Sequence, residues 1–136
     1  MPIRCDIVTQ DRQLFSGEVD MVVAPGSEGV LGILPHHTPL LTTLNYGILT
    51  VKMAGKEEAF AIAGGIMEVL PDGVTVLADV GERVEEIDVA RAEAARARAE
   101  ELLKMAPGEG TEAYLKATAS LRRSQLRLEA AKKFRK

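Results

Sequence analysis

Residues 82–92 read ERVEEIDVARA, and at this stretch the chain changes from strand-like to helix-like patterning. Before it, apolar and polar residues alternate in short runs separated by Gly- and Pro-containing turns, as in β-structure. After it, residues 89–104 are Ala-rich and contain neither Gly nor Pro, which favours an α-helix. Asp88 stands at the change and is a suitable residue to cap or open a helix. The stretch therefore predicts two modules, 1–86 and 87–136.

The charge of the chain changes sign at the same place. Residues 1–86 hold 5 Lys and Arg against 13 Asp and Glu, whereas residues 87–136 hold 12 against 7. The net charge of -3 therefore conceals an acidic first module and a basic second one. Such asymmetry indicates that the helical arm engages an acidic partner or a polyphosphate.

The first module is predicted to be an antiparallel β-sandwich, which makes the whole chain an α+β protein. Short strand candidates follow one another at close intervals, and Pro71-Asp72-Gly73 is a clear hairpin turn. Residues 40–44 and 47–52 read as two separate strands. Gly64-Gly65 is expected to break the chain between two further strands, at 58–62 and 66–70.

The second module is predicted to be an antiparallel two-helix hairpin. Residues 107–110, beginning with Pro107, are expected to end the first helix, and Thr111 is expected to cap a second helix over 112–133. Because the seam between the helices is mostly Ala, it buries little apolar area, and an arm held so loosely can open. An apolar stripe at helical spacing is expected along the second helix, formed by Tyr114, Ala117, Leu121 and Leu128.

Several kinds of site are excluded by residue types and spacing. The lone Cys5 makes neither an internal disulfide nor a zinc site, and is expected to be a small apolar filler. His36-His37 has no third ligand nearby in sequence, so a metal site is not expected. Residues 26–32 lack the Gly-Lys-Ser/Thr end of a phosphate loop and are read as a turn. No set of residues supports nucleophilic or paired-carboxylate catalysis, so the chain is not expected to be an enzyme.

Four arginines of the helical module recur at helical spacing. Arg98 follows Arg91 by seven residues, and Arg127 follows Arg123 by four, so each pair shares a helix face. In a folded hairpin the four guanidinium groups can converge on one space and bind phosphate oxygens. The alternative is a solvated charged surface, and periodicity alone does not decide between the two.

The C-terminal end of the chain is strongly basic. Residues 122–136 hold seven Lys and Arg and one acid, Glu129. Three interpretations stay open, namely a solvated tail, a patch for nucleic acid or anionic lipid, and a contact for an acidic protein surface.

The chain resembles the epsilon subunits of bacterial F-type ATP synthases, which correspond to the delta subunits of mitochondrial naming. The resemblance covers essentially all 136 residues. One position departs from the family, which usually has Gly between the Pro and His of its loop where this chain has His36. The pieces that carry the resemblance are specific in their order and spacing: FSG at 15–17, GSEGVLGILPHHTPLL at 26–41, GGIMEV at 64–69, VTVLA at 74–78 and IDVARA at 87–92.

The resemblance implies a non-catalytic subunit of the rotor, peripheral to the cytoplasmic face of the bacterial plasma (inner) membrane. Its sandwich would dock on the gamma subunit and on the c-ring, with Ser27, Glu28 and Gly29 facing the c-ring. Its arm would switch between a folded and an extended form. The extended arm would meet an acidic segment of a beta subunit and block ATP hydrolysis, through Arg122, Arg123, Arg127, Lys132 and Lys133.

The resemblance also implies a nucleotide-sensing arm, in which ATP stabilises the folded hairpin as a regulatory ligand. No cofactor is required otherwise. Asp88 or the Glu82 region would accept a hydrogen bond from the adenine amino group or order the loop, and the arginines would neutralise the triphosphate. The positions that match are Glu82, Ile87, Asp88, Arg91, Ala92, Arg98, Arg123 and Arg127.

Two other functions remain as alternatives. One is a nucleic-acid-binding module that uses the basic helix, against which stand the acidic sandwich and the scarcity of aromatic residues. The other is a stand-alone ATP sensor with no rotary partner.

Overall fold

The computed structural model describes residues 2–105 and 108–135. The chain divides into two compact units, Met1–Arg83 and Val84–Lys136. Pro107, expected to end the first helix, and Lys136 of the basic end lie outside the described residues. The strands of the first unit are β1 Ile3–Val8, β2 Gln13–Val19, β3 Met21–Gly26, β4 Gly29–Ile33, β5 Leu40–Met53, β6 Lys56–Leu70, β7 Gly73–Ala78 and β8 Gly81–Arg83.

The eight strands form one sheet that folds over into a sandwich, in the order β2-β1-β7-β6-β5-β3-β4, with β8 paired to β6. The predicted sandwich is therefore confirmed. All pairings are antiparallel except that of β1 with β7, which is parallel. Hairpin signals in the sequence reveal only antiparallel neighbours, whereas a parallel pair needs a long crossover connection. Here five strands intervene between β1 and β7.

Two long strands replace four of the predicted short ones. β5 pairs with β6 from Leu40 opposite Val69 to Met53 opposite Lys56. The expected break at Gly64-Gly65 is therefore wrong. These glycines have φ of 84° and 142°, which lets β6 bend without ending. A Cβ at Gly65 would lie 2.4 Å from the carbonyl oxygen of Leu77, so this close approach of strands requires glycine.

The core of the sandwich is mostly aliphatic. Its two phenylalanines, Phe15 and Phe60, meet edge to face with ring centroids 6.1 Å apart. Cys5 is fully buried in this core, which confirms its prediction as a filler. Burial, and to a lesser extent the nearby charge of Asp6, raises the pKa of the Cys5 thiol to about 12.

The second unit contains a 3-10 turn at Val84–Glu86 and two helices, α1 Val89–Met105 and α2 Glu112–Phe134. Both predicted caps are confirmed. The Oδ1 atom of Asp88 accepts a hydrogen bond from the Arg91 backbone N–H at 3.0 Å. Thr111 Oγ1 accepts one from the Tyr114 backbone N–H at 3.2 Å. Within residues 2–105 and 108–135, neither helix has the length and apolar character that crossing a membrane requires.

Small residues form the seam between α1 and α2. Ala92 and Ala99 are the buried residues of α1, seven apart. Their counterparts on α2 are Ala117, Ser124 and Ala131, also seven apart and buried. The expected stripe of larger residues, Tyr114, Leu121 and Leu128, borders this seam and is half-buried. The helices therefore approach through small side chains, with the larger ones at the margin.

Candidate functional site

The hairpin has two flanks, one on each side of its small-residue seam. A groove on one flank is lined by Glu93, which follows Ala92, and by Lys132, which follows Ala131. Val89, at the start of α1, lines the same groove as Lys132 near the end of α2, so the helices run antiparallel. In an antiparallel pair, residues that follow a seam position point to one flank, and residues that precede it point to the other.

The flank without the groove carries the four arginines singled out in the sequence. Arg91 precedes Ala92, Arg98 precedes Ala99 and Arg123 precedes Ser124, so all three point away from the groove. Arg127 follows Arg123 by one helical turn and shares its face. We call these four residues the arginine flank. Arg91 and Arg98 are exposed, and Arg123 and Arg127 are half-buried.

The other predicted nucleotide residues occupy different environments. Ile87 and Ala92 are each 2% exposed, so they offer little surface to a ligand. Asp88 is exposed, and its Oδ1 atom is engaged by the Arg91 backbone N–H, which leaves Oδ2 for another donor. Glu82 belongs to the other unit, in β8, where it pairs with Ala61. Within the helical unit, Asp88 caps α1 and Arg91 lies in its first turn, while the other arginines of the flank lie further along α1 and on α2.

The five basic residues predicted to contact a beta subunit do not share one face of α2. Arg123 and Arg127 belong to the arginine flank, whereas Lys132 lines the groove. Arg122 and Lys133 are both exposed, and their spacing of eleven residues puts them on a third face. The basic end therefore surrounds α2 with positive charge.

The loop predicted to face the c-ring is a tight hairpin between β3 and β4. Ser27 and Glu28 form its turn, and Gly29, with φ of 134°, opens β4. The Ser27 N–H donates to the Thr43 carbonyl oxygen at 3.0 Å, and the two hydroxyl oxygens are 2.7 Å apart. These bonds hold the turn against β5, while the adjacent Val30 is 76% exposed.

An apolar surface on the sheet was not singled out from the sequence. Ile66 of β6 pairs directly with Leu77 of β7, and both are about half exposed. Leu41, 71% exposed, and Leu70, 44% exposed, extend this surface, which we call the outer sheet face. The sequence did carry a signal for this surface. The runs at 66–70 and 74–78 have apolar residues on both faces of their strands, whereas a strand with one solvated face alternates apolar and polar residues.

Both units match descriptions of known domains. Residues 2–84 match the ATP synthase delta/epsilon chain beta-sandwich domain, and residues 85–132 match the ATP synthase delta/epsilon chain long alpha-helix domain. The chain belongs to the ATP synthase delta/epsilon family. The resemblance identified in the sequence is thereby confirmed.

Bacterial members of the delta/epsilon family are similar over nearly their whole length. The ATP synthase epsilon chain of Dehalococcoides mccartyi is 50% identical over 136 residues, which is 98% of this chain and 95% of the relative. That of Herpetosiphon aurantiacus is 50% identical over 132 residues, 97% of this chain and 96% of the relative.

Chains in two solved ATP synthase structures share the fold. A chain in a cryo-EM structure of Euglena gracilis mitochondrial ATP synthase, containing OSCP, F1 and the c-ring, has a TM-score of 0.80 and 26% identity. The match covers 96% of this chain and 81% of that one. A chain of the Tetrahymena thermophila central stalk and c-ring matches in fold alone, with a TM-score of 0.57 and 18% identity.

Among the described residues, no three His, Cys, Asp or Glu side chains are grouped as a metal site requires. His37 instead contacts its neighbour, with Nδ1 2.6 Å from the Thr38 carbonyl oxygen.

Proposed function

We propose that this chain is a non-catalytic rotor subunit of a bacterial F-type ATP synthase whose helical hairpin is an ATP-sensing, inhibitory arm. The arginine flank is the observation that carries the proposal. The positive charges of Arg91, Arg98 and Arg123 lie along one flank and favour an open hairpin, since like charges repel one another. A triphosphate bound across the flank neutralises them and holds α1 and α2 together.

The residues present fit a triphosphate better than they fit an adenine ring. Guanidinium groups supply planar, paired donors for phosphate oxygens. For the base, Asp88 retains one carboxylate oxygen to accept from the adenine amino group, while Ile87 and Ala92 present only the margin of an apolar surface. ATP would supply the negative charge that closes the arm, and no covalent step is involved.

The sandwich supplies docking surfaces for the partners of a rotor subunit. We assign the outer sheet face to the gamma subunit, because an exposed apolar surface of this kind marks a protein interaction site. The turn Ser27-Glu28-Gly29 with exposed Val30 is assigned to the polar loops of the c-ring. The subunit would then be peripheral to the cytoplasmic face of the plasma membrane, held there by the complex.

The extended arm is assigned to an acidic segment of a beta subunit. Basic residues on three faces of α2 suit a helix that inserts into a cleft and is contacted from several sides. Complementary charge steers such docking and sets its register. Hydrolysis is blocked while the arm is inserted, and ATP binding to the folded hairpin withdraws it.

The test is calorimetric titration of the full chain with ATP. Wild type is expected to bind saturably, and Arg91→Ala and Arg123→Ala are each expected to weaken binding about tenfold or more, since charge-assisted hydrogen bonds contribute about 1.5–3 kcal/mol. Arg96→Ala is the matched control. Arg96 lines the groove on the opposite flank and lies 3.5 Å from Glu100, so its loss should leave ATP affinity unchanged.

Two results would contradict the ATP-sensing part of the proposal. One is absence of binding up to millimolar ATP, which would assign the arginines to the acidic partner. The other is equal weakening by Arg96→Ala and Arg91→Ala, which would mean that net charge, and not the arginine flank, attracts the nucleotide.

A further inference from the structure

A side chain joins the two ends of the helical hairpin. Arg135, the residue after α2, donates a hydrogen bond from Nη1 to the backbone carbonyl oxygen of Ile87. Ile87 immediately precedes Asp88, the cap of α1, and is 48 positions away in sequence. The bond therefore forms only when the end of α2 lies against the start of α1.

Arg135 also ends α2. It is the C-cap residue, with an extended backbone at φ -97° and ψ 138°, and its N–H donates to the Ala131 carbonyl oxygen at 3.0 Å. A positive charge at a helix C-terminus is favourable because the last carbonyls carry partial negative charge. One residue thus terminates α2 through its backbone and reaches the start of α1 through its side chain.

The carbonyl that Arg135 binds belongs to a buried junction. Ile87 is 2% exposed, and its N–H donates to the Val84 carbonyl oxygen at 3.2 Å within the 3-10 turn. The Arg135 guanidinium supplies a partner for the remaining polar group of this residue. A polar group in a buried residue that loses its partner is costly, which makes the contact matter for closure.

We propose that Arg135 is a clasp that sets the closed-to-open equilibrium of the hairpin. This inference rests on the proposed function, in which opening of the arm is the regulated step. The clasp contributes to the closed state only, because extension of α2 breaks the bond to Ile87.

The clasp is separate from the arginine flank. Arg135 lines the groove together with Glu93, Arg96 and Lys132, on the flank opposite to Arg91 and Arg98. It therefore acts on closure without contacting phosphate. Because Ile87 and Asp88, which are assigned to the adenine, line the same groove, the clasp is tested in the absence of nucleotide.

The experiment is amide hydrogen exchange of the full chain, followed residue by residue by NMR in the absence of nucleotide. The informative amides are those of Ala99 and Ser124, in the middle of each helix. Because most of the stability of a helix in a protein comes from tertiary packing, exchange of these amides reports separation of the hairpin. Arg135→Ala is expected to accelerate exchange at both amides on the order of tenfold, as loss of a charge-assisted hydrogen bond predicts.

Lys132→Ala is the matched control, because it also removes one positive charge from the C-terminal end of α2. Within residues 2–105 and 108–135, no hydrogen bond or ion pair of the Lys132 side chain is present, so its variant should exchange like wild type. Two results would overturn the clasp. One is acceleration confined to residues 132–135, which would make Arg135 a helix cap alone. The other is equal acceleration in both variants, which would make charge and not the bond responsible.

The measurement contains no ATP, so its outcome does not depend on whether the chain binds nucleotide. If the wild type shows no ATP binding by calorimetry while amide exchange is accelerated in Arg135→Ala, ATP sensing is removed and the clasp is kept. Saturable ATP binding by the wild type, together with unchanged exchange in Arg135→Ala, would keep ATP sensing and remove the clasp.

Discussion

Two single residues hold backbone conformations that most L-amino acids avoid. His36, where the family usually carries Gly, has φ of 66°, and its N–H donates to the Pro71 carbonyl oxygen at 3.0 Å. The usual glycine is explained by this positive φ, and His36 keeps the turn despite its side chain. Ala54, with φ of 43°, precedes Gly55, with φ of 81°, in the two-residue turn between β5 and β6.

Replacing Ala54 by Asn is expected to stabilise the sheet by about 0.5 kcal/mol, because turns with two positive φ values favour Asn-Gly. The N–H of residue 54, which donates to Asp20 Oδ2 at 3.0 Å, is retained. Ala54→Val is the opposite control, since a β-branched residue tolerates positive φ least. Urea unfolding midpoints of the full chain, followed by sheet-specific signals, should rank Asn above Ala and Ala above Val. A midpoint for Asn below that of Ala would contradict the turn assignment.

At the scale of the element, the hairpin is decided by close packing of small residues. Ala99 and Ser124 are 1% and 0% exposed, and the Ser124 hydroxyl donates to the Leu121 carbonyl oxygen at 2.9 Å within its own helix. The buried hydroxyl of the seam therefore has a hydrogen-bond partner, but the small side chains bury little apolar area. In our proposals, closure therefore depends also on the clasp and on the charge of the arginine flank, which both lie outside the seam.

Ala99→Leu is expected to destabilise the closed hairpin by about 1–3 kcal/mol, because extra methylene groups do not fit a close-packed seam. Ala97→Leu, the same change at an exposed position of α1, should stay within about 0.5 kcal/mol of wild type. Urea titration followed by helical circular dichroism measures both. Equal effects of the two substitutions would show that the seam is not close-packed.

At the scale of the whole molecule, acidic and basic residues are divided between two units with separate structural elements. The acidic unit carries the outer sheet face and the Ser27–Gly29 turn, and the basic unit carries the arginine flank and the clasp. Each of the proposed partners is thereby assigned to one unit. The predicted division at 87 stays a prediction, to be tested by truncation.

Deletion of residues 88–136 is expected to leave a folded sandwich that still binds gamma, and to raise ATP hydrolysis by the assembled complex. Pull-down with gamma and hydrolysis rates of the reconstituted complex measure the two effects. Ile66→Glu in the full chain is the converse control, since it charges the outer sheet face and should weaken gamma binding by at least tenfold. Loss of gamma binding in the truncated chain would contradict the separate roles of the two units.

The sequence alone determined the features that arise between residues close together in the chain, namely helix caps, tight turns and short motifs. The caps at Asp88 and Thr111 act over three residues, and the turn at Pro71-Asp72-Gly73 lies within one hairpin, so periodicity and residue type were enough. The family followed from motifs whose order can be read directly. The four arginines could be identified as two pairs, because each pair is spaced by whole turns of its own helix.

Tertiary structure decided what joins distant parts of the chain. The parallel pairing of β1 with β7, the uninterrupted passage of β6 through Gly64-Gly65 and the bond of Arg135 to Ile87 all connect residues with no local signal. The arginine flank likewise depends on tertiary structure. The two arginine pairs reach the same flank because α1 and α2 run antiparallel and the packing of the seam fixes how each helix is rotated about its axis. Such contacts depend on how elements pack, and packing is a property of surfaces assembled from separate segments.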